Sequence, residues 1–289
     1  MTRMMSSPRA TLASRSLPLV LACACLCIAA GFARTMAAEP TPLVRAHAHN
    51  DYEHKRPLFD ALDQGLCSVE ADIFLVDGQL LVGHVRRLLK PERTLESLYL
   101  IPLKERIAKN GGRVYRRGPE FTLLIDIKTN GPTTYAALKK VLEKYADFIN
   151  SPTAGAGSRK AVNVVATGNR PAAVIAADAT RLVGIDGTLS DLDSDQPANV
   201  IPLISDNWHS FFKWRGKGPI PPEEHEKIVA AVKKAHAHGR RLRFWSTPDN
   251  TAIWQELYDD GVDLLNVDDL PGVARFLNDP ARRSPTSAR

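Results

Sequence analysis

Residues 47–84, HAHNDYEHKRPLFDALDQGLCSVEADIFLVDGQLLVGH, decide both the fold and the chemistry. Within them, residues 68–75 read SVEADIFL, a run of strand length in which Glu70 and Asp72 stand two apart. Successive strand side chains point to opposite faces, so both carboxylates project from the same side. A solvated edge strand would alternate polar with apolar residues along its length. Here Val69, Ala71 and Ile73 fill the other face and Phe74-Leu75 follow, so the acids belong to a strand of the buried kind. Two carboxylates held side by side there need a cation. His47 closes the apolar run LVRAH and His84 closes LLVGH, which brings an imidazole to each of two strand ends with the acidic pair between them in sequence. These are the residue types of metal-assisted acid/base chemistry.

Outward from this stretch, strand and helix signals alternate to the end of the chain. Strands are expected at residues 44–49, 68–75, 121–128, 162–166, 181–185, 200–204, 242–245 and 262–267, and a hairpin at Asp77-Gly78 returns as residues 79–82. Helical periodicity or helix-end chemistry marks residues 57–64, 95–109, 134–148, 171–177, 222–238 and 251–260. An acidic loop from Asp186 to Pro197 takes the place of a clear helix. Eight largely non-alternating apolar strands separated by helices predict an α/β fold, a single closed (β/α)8 barrel.

Such a barrel carries its chemistry at the C-terminal ends of the strands. That rim collects His47 and His49, Glu70 and Asp72, Asp126 and Lys128, Trp245, and Asn266 and Asp268, and the hairpin delivers His84 to it. Asp206-Asn207-Trp208-His209 follows the sixth strand onto the same rim. Asp126 and Lys128 repeat the two-apart spacing as one acid and one base. The bland reading is a buried ion pair; the functional one makes Asp126 a third metal ligand and Lys128 an electrostatic clamp on an anion. Three hard carboxylates without soft ligands suit one divalent ion, Mg²⁺ or Ca²⁺.

Residues 1–38 read as a secretory leader: Arg3, Arg9 and Arg15 precede an apolar stretch, residues 17–33, and small residues follow. That stretch is marginal for a membrane span, which takes about 20 residues. The expectation is an exported protein, periplasmic or secreted, without a stable span once the leader is removed. Its catalytic domain would then cover residues 39–289. The leader holds four arginines and no acid, so the net charge falls from +6 to +2 without it. The remaining basic pairs are scattered, and no nucleic-acid partner is expected. Three of the four cysteines, Cys23, Cys25 and Cys27, also lie in the leader, so Cys67 has no internal disulfide partner. The expected state is a monomer.

The order His47, Glu70-x-Asp72, hairpin, His84 and Asp126-x-Lys128 resembles the phospholipase C-like phosphodiesterase superfamily, with its glycerophosphodiester phosphodiesterases and spider-type sphingomyelinases D. The strings HAHNDY, PLFDALDQG, SVEADIFL, LLVGH and RTLESLYLIPL are most similar to the group containing the fungal altered-inheritance-of-mitochondria protein six and its bacterial relatives. The resemblance is dense over residues 43–128. It implies a somewhat distorted barrel acting on a small-molecule or lipid phosphodiester, by hydrolysis or by cyclisation. It also implies that His47 and His84 form the catalytic pair, with His84 the acid and His47 the base or nucleophile. By the same resemblance Glu70, Asp72 and Asp126 hold the metal and Lys128 contacts the phosphate. His49, Asn50, Trp245 and Asp268 are the further candidates for substrate contact. Two departures leave the substrate open. Glycerophosphodiesterases carry Arg-Gly after the first histidine and a glutamate where Asp126 stands, and the cysteines that follow the second histidine in the sphingomyelinases D are absent.

Two other classes remain in view. His47-Ala48-His49 matches the HxH of metal-dependent amidohydrolase barrels, with Asp268 as their strand-eight aspartate, although the fifth strand ends without the histidine they need. Stoichiometric zinc would mark that class. The remaining alternative is an exported binding protein without catalysis, which only an assay separates from an enzyme.

Overall fold

The computed structural model describes residues 39–153 and 159–280, and the compact unit begins at Pro40. The leader assigned to residues 1–38 lies outside the described residues. Nine strands and eight helices alternate along the described chain: β1 (Leu43–Ala48), α1 (Phe59–Asp63), β2 (Leu66–Val76), β3 (Gln79–Val82), α2 (Ile101–Lys109), β4 (Phe121–Ile127), α3 (Gly131–Glu143), β5 (Val162–Gly168), α4 (Ala172–Ala177), β6 (Val183–Gly187), β7 (Leu203–Asn207), α5 (Trp208–Phe211), α6 (Pro222–Ala237), β8 (Arg241–Trp245), α7 (Thr251–Asp259), β9 (Leu264–Val267) and α8 (Leu270–Asn278).

All strands except β3 run parallel, in the order β1-β9-β8-β7-β6-β5-β4-β2, and β1 also pairs with β2. The sheet therefore closes into the eight-stranded barrel that the strand–helix alternation predicts. β2 is buried on both faces over nine of its eleven residues, as a barrel strand covered by helices must be. β3 turns back antiparallel on the end of β2, Ile73 opposite Val82, through Asp77 and Gly78 at φ 48° and 79°. Positive φ at both central residues suits the Asp-Gly hairpin turn. The hairpin carries His84 back over the barrel mouth. Among the described residues, no helix is long and apolar enough to cross a membrane.

The barrel interior is layered. Leu124, Val165, Leu203 and Leu264 form a small apolar cluster separate from the main core, a plug of inward side chains. Two residues further along each of these strands stand Asp126, Thr167, Ser205 and Asn266, and Glu70, Asp186 and Arg243 join them from β2, β6 and β8. The interior thus changes from apolar to charged within one pleat, and the charged layer faces the C-terminal mouth.

Two strands lie later in the chain than the sequence reading puts them. The fifth runs Val183–Gly187 and the sixth Leu203–Asn207. Pro202 and the apolar Val200 and Ile201 precede the sixth strand, so hydrophobicity alone places its start too early. Asp186 is in consequence an inward strand residue and no part of an acidic loop.

Candidate active site

β2 and β4 are hydrogen-bonded neighbours in a register that sets Asp72 beside Asp126. With Glu70 they form a trio in which one carboxylate oxygen from each lies within 4.8 Å of the others. Asp72 Oδ1 and Asp126 Oδ1 are buried without a hydrogen-bond partner. Unpaired buried carboxylate oxygens of this kind are destabilising, and a bound cation satisfies them. Gly168 on β5 completes the cradle, since a Cβ there would run into Asp126 Oδ1. The hard oxygen donor set fits Mg²⁺ or Ca²⁺. Lys128 Nζ stands 3.0 Å from Asp72 Oδ2 and 2.6 Å from Asp126 Oδ2. Burial pushes the Asp72 carboxyl up to about 6, and the neighbouring Asp126 adds to this against the pull of Lys128. Burial also works against the charge of Lys128, but the two aspartates hold it above its ordinary value.

Glu70 meets a different cation. Arg243 Nη1 donates to Glu70 Oε2 at 2.9 Å, with both side chains sealed from solvent at 3% and 7% exposure. Burial alone would raise Glu70, but the Arg243 guanidinium and the neighbouring histidines, His47 foremost, together outweigh it and hold the carboxyl well below the usual range. Arg243 Nη1 also lies 2.7 Å from His47 Nε2. An arginine N–H can only donate, so Nε2 accepts, and Nδ1 carries the ring proton toward Ser68 Oγ at 2.7 Å. Burial and then Arg243 push His47 down to about 4, leaving the imidazole neutral. His47 is fully buried and does not line the cavity. Both of its nitrogens are engaged by the protein, Nδ1 by Ser68 and Nε2 by Arg243 and Glu70, so this arrangement does not present it to a substrate in the cavity. The expectation that His47 is one of the catalytic pair is corrected on that ground.

The histidine that reaches the cavity from the end of β1 is His49. Its Nδ1 lies 3.0 Å from Asp268 Oδ1, and Nε2 has no hydrogen-bond partner among the described residues. Burial lowers its proton affinity, but the bond to Asp268 and the field of Glu70 together leave it raised. His84 faces the same space, about half exposed, with Nδ1 3.2 Å from Tyr52 Oη and 3.3 Å from Asp72 Oδ2. Tyr52 Oη also lies 2.7 Å from Asp72 Oδ2 and from Asn50 Oδ1. This buried hydroxyl thus ties the first rim loop to the acid trio and to the hairpin histidine.

The cavity has a volume of about 360 Å³. It is lined by His49, Asn50, Glu70, His84, Asp126, Lys128 and Trp245 among the expected residues. Asp72 is sealed behind them, and Asp268 acts from outside through His49. Asp206 reaches the cavity from β7, whereas Trp208 is core. Tyr52, Asp186, Ser205 and Arg243 join this constellation and are residues that sequence reasoning missed. For Arg243 a signal was present, because it stands two before Trp245 and so shares its face of β8. Among the described residues no group of three metal-ligating side chains includes His47 or His49, so the HxH arrangement of an amidohydrolase is not assembled. The other such group, His225, Glu256 and Asp260, is an ion-paired trio joining α6 to α7.

The model of the AIM6-like phosphodiesterase domain matches residues 35–183. Altered inheritance of mitochondria protein 6 from Eremothecium gossypii is 33% identical over 270 residues, covering 81% of this chain and 69% of that protein. Its homolog from Arthroderma benhamiae is 30% identical over 266 residues, covering 78% and 82%. Among solved structures, a glycerophosphodiester phosphodiesterase from Parabacteroides distasonis superposes with a TM-score of 0.50 at 13% identity, covering 83% of this chain and 99% of that one. At that identity the likeness is one of fold.

Proposed function

The chain belongs to the AIM6-like phosphodiesterase family, and on that premise we propose that it is an exported, metal-dependent enzyme cleaving a phosphodiester such as a glycerophosphodiester or a phospholipid head group. The observation that carries this reading is the acid trio, with two buried, unpartnered oxygens and Lys128 beside them. Glu70, Asp72 and Asp126 would hold one Mg²⁺ or Ca²⁺, which when bound supplies positive charge against the non-bridging phosphate oxygens. Charge balance agrees. Three carboxylates meet two permanent cations, Lys128 and Arg243. The arriving diester adds one more negative charge, and a divalent ion matches the sum.

The chain's own residues supply the rest. Lys128 draws a phosphate oxygen toward the acids. His49 and His84 serve as the acid/base pair, one taking the proton of the attacking oxygen and the other returning one to the leaving oxygen. Asp268 orients His49, Tyr52 orients His84, and Trp245 with Asn50 forms the wall for the alcohol. The attacking oxygen belongs to water or to a hydroxyl of the substrate, and the product distinguishes them, a monoester in one case and a cyclic phosphate in the other.

The test is a panel of glycerophosphodiesters, lysophospholipids, sphingomyelin and a chromogenic diester, assayed with EDTA and with Mg²⁺ or Ca²⁺ restored. Turnover that EDTA abolishes and either ion restores is expected. Turnover unaffected by EDTA refutes the metal assignment, and metal-dependent binding without turnover on any member leaves a binding protein.

A further inference from the structure

A second cluster of ligand-type side chains joins α6 to α7, the helices before and after β8, and none of its members lines the mouth cavity. Glu256 and Asp260 stand four apart at the end of α7, so they share one face of that helix. The Asp260 N–H donates to the Glu256 carbonyl at 2.9 Å and keeps them one turn apart. His225 meets them from the first turn of α6, and one ligand atom from each of the three lies within 4.8 Å of the others. His225 Nδ1 is 3.0 Å from Glu256 Oε1 and 3.2 Å from Asp260 Oδ2. A ring nitrogen carries one proton at most, and the hydrogen bond goes to Glu256. Asp260 Oδ2 is thus buried without a hydrogen-bond partner among the described residues, on a side chain only 7% exposed. Asp72 and Asp126 show the same defect at the mouth, and it is destabilising here for the same reason.

We propose that His225, Glu256 and Asp260 form a second metal site, one that takes Zn²⁺ and fastens α6 to α7. The ligand types choose the ion. One imidazole with two carboxylates suits zinc, whereas the all-oxygen trio at the mouth suits Mg²⁺ or Ca²⁺. Charge agrees, since a proton on His225 offsets one of the two carboxylates and a divalent ion offsets both. Spacing agrees as well. Bonds of about 2.1 Å from zinc to nitrogen and oxygen place tetrahedral ligands about 3.4 Å apart. The two separations here are 3.0 and 3.2 Å, so small rotations of the more accessible His225 and Glu256 side chains open the site. Their exposures, 45% and 25%, leave a path for the ion and room for water as a fourth ligand. The site stands independently of the phosphodiesterase reading. An ion bound there braces the helices that flank β8, the strand of Arg243 and Trp245.

The experiment is equilibrium dialysis of metal-free protein against micromolar Zn²⁺, with the bound metal counted, followed by thermal denaturation. It uses the Asp72→Asn background, which disables the ion site at the mouth. That protein should hold one equivalent of zinc and gain in Tm on binding it, while Mg²⁺ at the same concentration should give neither. Adding His225→Ala should weaken zinc binding by at least about 100-fold, beyond the roughly 10- to 100-fold that loss of a supporting group costs, and should remove the gain in Tm. Glu256→Gln keeps the shape of the side chain but loses its charge; it should weaken binding in the same direction and serves should His225→Ala not fold. Zinc retained undiminished by both variants overturns the site, as does an Asp72→Asn protein that binds none. Zinc that leaves with His225 is also set apart from an HxH centre at the mouth, which would keep its metal in both variants.

Discussion

Arg243→Met should be the most damaging single change in the barrel interior, and the reason can be worked from Glu70. The pair lies at 2.9 Å with side-chain exposures of 3% and 7%, so solvent screens little of it. Deleting one partner of a buried ion pair costs about 3–5 kcal/mol, because the other charge is left unpaired. The variant also loses bonds to Ser205 Oγ and Asn266 Oδ1. At about 2–4 °C per kcal/mol for a domain of this size, Tm should fall by about 6–20 °C. Adding Glu70→Gln removes the stranded charge, so the double variant should lose less than the sum of the single losses, with a coupling of about 2 kcal/mol or more. The assay is thermal and urea denaturation of the four proteins of this cycle in EDTA, which keeps metal binding out of the comparison. His47 supplies a second readout. Burial remains the larger cause of its depressed pKa, but without the guanidinium the imidazole should titrate above its present value of about 4. Additivity within about 0.5 kcal/mol would refute the argument that Arg243 is there to balance Glu70.

Asp72→Asn should abolish metal-dependent turnover and the rise in Tm that Mg²⁺ or Ca²⁺ gives wild type, since a ligand bound only to the native state stabilises it by linkage; differential scanning fluorimetry with and without the ion checks this, and an unchanged rise moves the ion elsewhere. Alanine at His49 or His84 should each cost about 10²–10⁴ in kcat/KM on an alkyl diester. On a nitrophenyl diester the variant lacking the acid should recover more than the one lacking the base, and near-wild-type activity in either removes that histidine from the pair. Asp51, buried beneath the loop that carries Asn50 and Tyr52, gives a pH-dependent test of the fold. Burial pushes its carboxyl up to about 6, against hydrogen bonds from Leu58 N–H and Tyr99 Oη–H. The folded chain therefore holds this proton more tightly than the unfolded one, and wild type loses up to about 3 kcal/mol as pH rises from about 4 through 6. Asp51→Asn has no proton to lose, so its Tm relative to wild type should climb over that interval, and a flat difference between pH 4 and 7 contradicts the assignment.

The sequence made the barrel readable because the local signals agree with one another. β2 announces itself by length and by apolar residues on both faces, the Asp77-Gly78 turn fixes the hairpin, and Gly239 with the acidic first turn bounds α6. The acids on β2 and β4 were equally readable, because carboxylates two apart in a buried run conflict with burial unless something pairs them. The errors arose where apolar residues continue past the element they seem to define. Val200 and Ile201 belong to the approach to β7 and pack into the core, so they imitate its start. That shift hid Ser205 on the strand, and a matching shift of β6 hid Asp186.

The exchange of His47 for His49 has a deeper cause. In sequence the two histidines differ only by one pleat at the end of β1, and which of them is sealed depends on a residue almost two hundred positions away. Arg243 comes from β8, which does not pair with β1 directly; the two strands are separated by β9, and only barrel closure brings the guanidinium to His47 Nε2. A periodicity rule sees the face a side chain takes and not the partner across the barrel. Once Arg243 is in place, the rest follows from its donors alone. It cannot accept, so His47 must, and the tautomer is fixed with the proton on Nδ1, facing Ser68 Oγ. His47 then holds β1 to β2 from within, and the next residue on the same face, His49, is left at the mouth with Asp268 on one nitrogen and no partner among the described residues on the other.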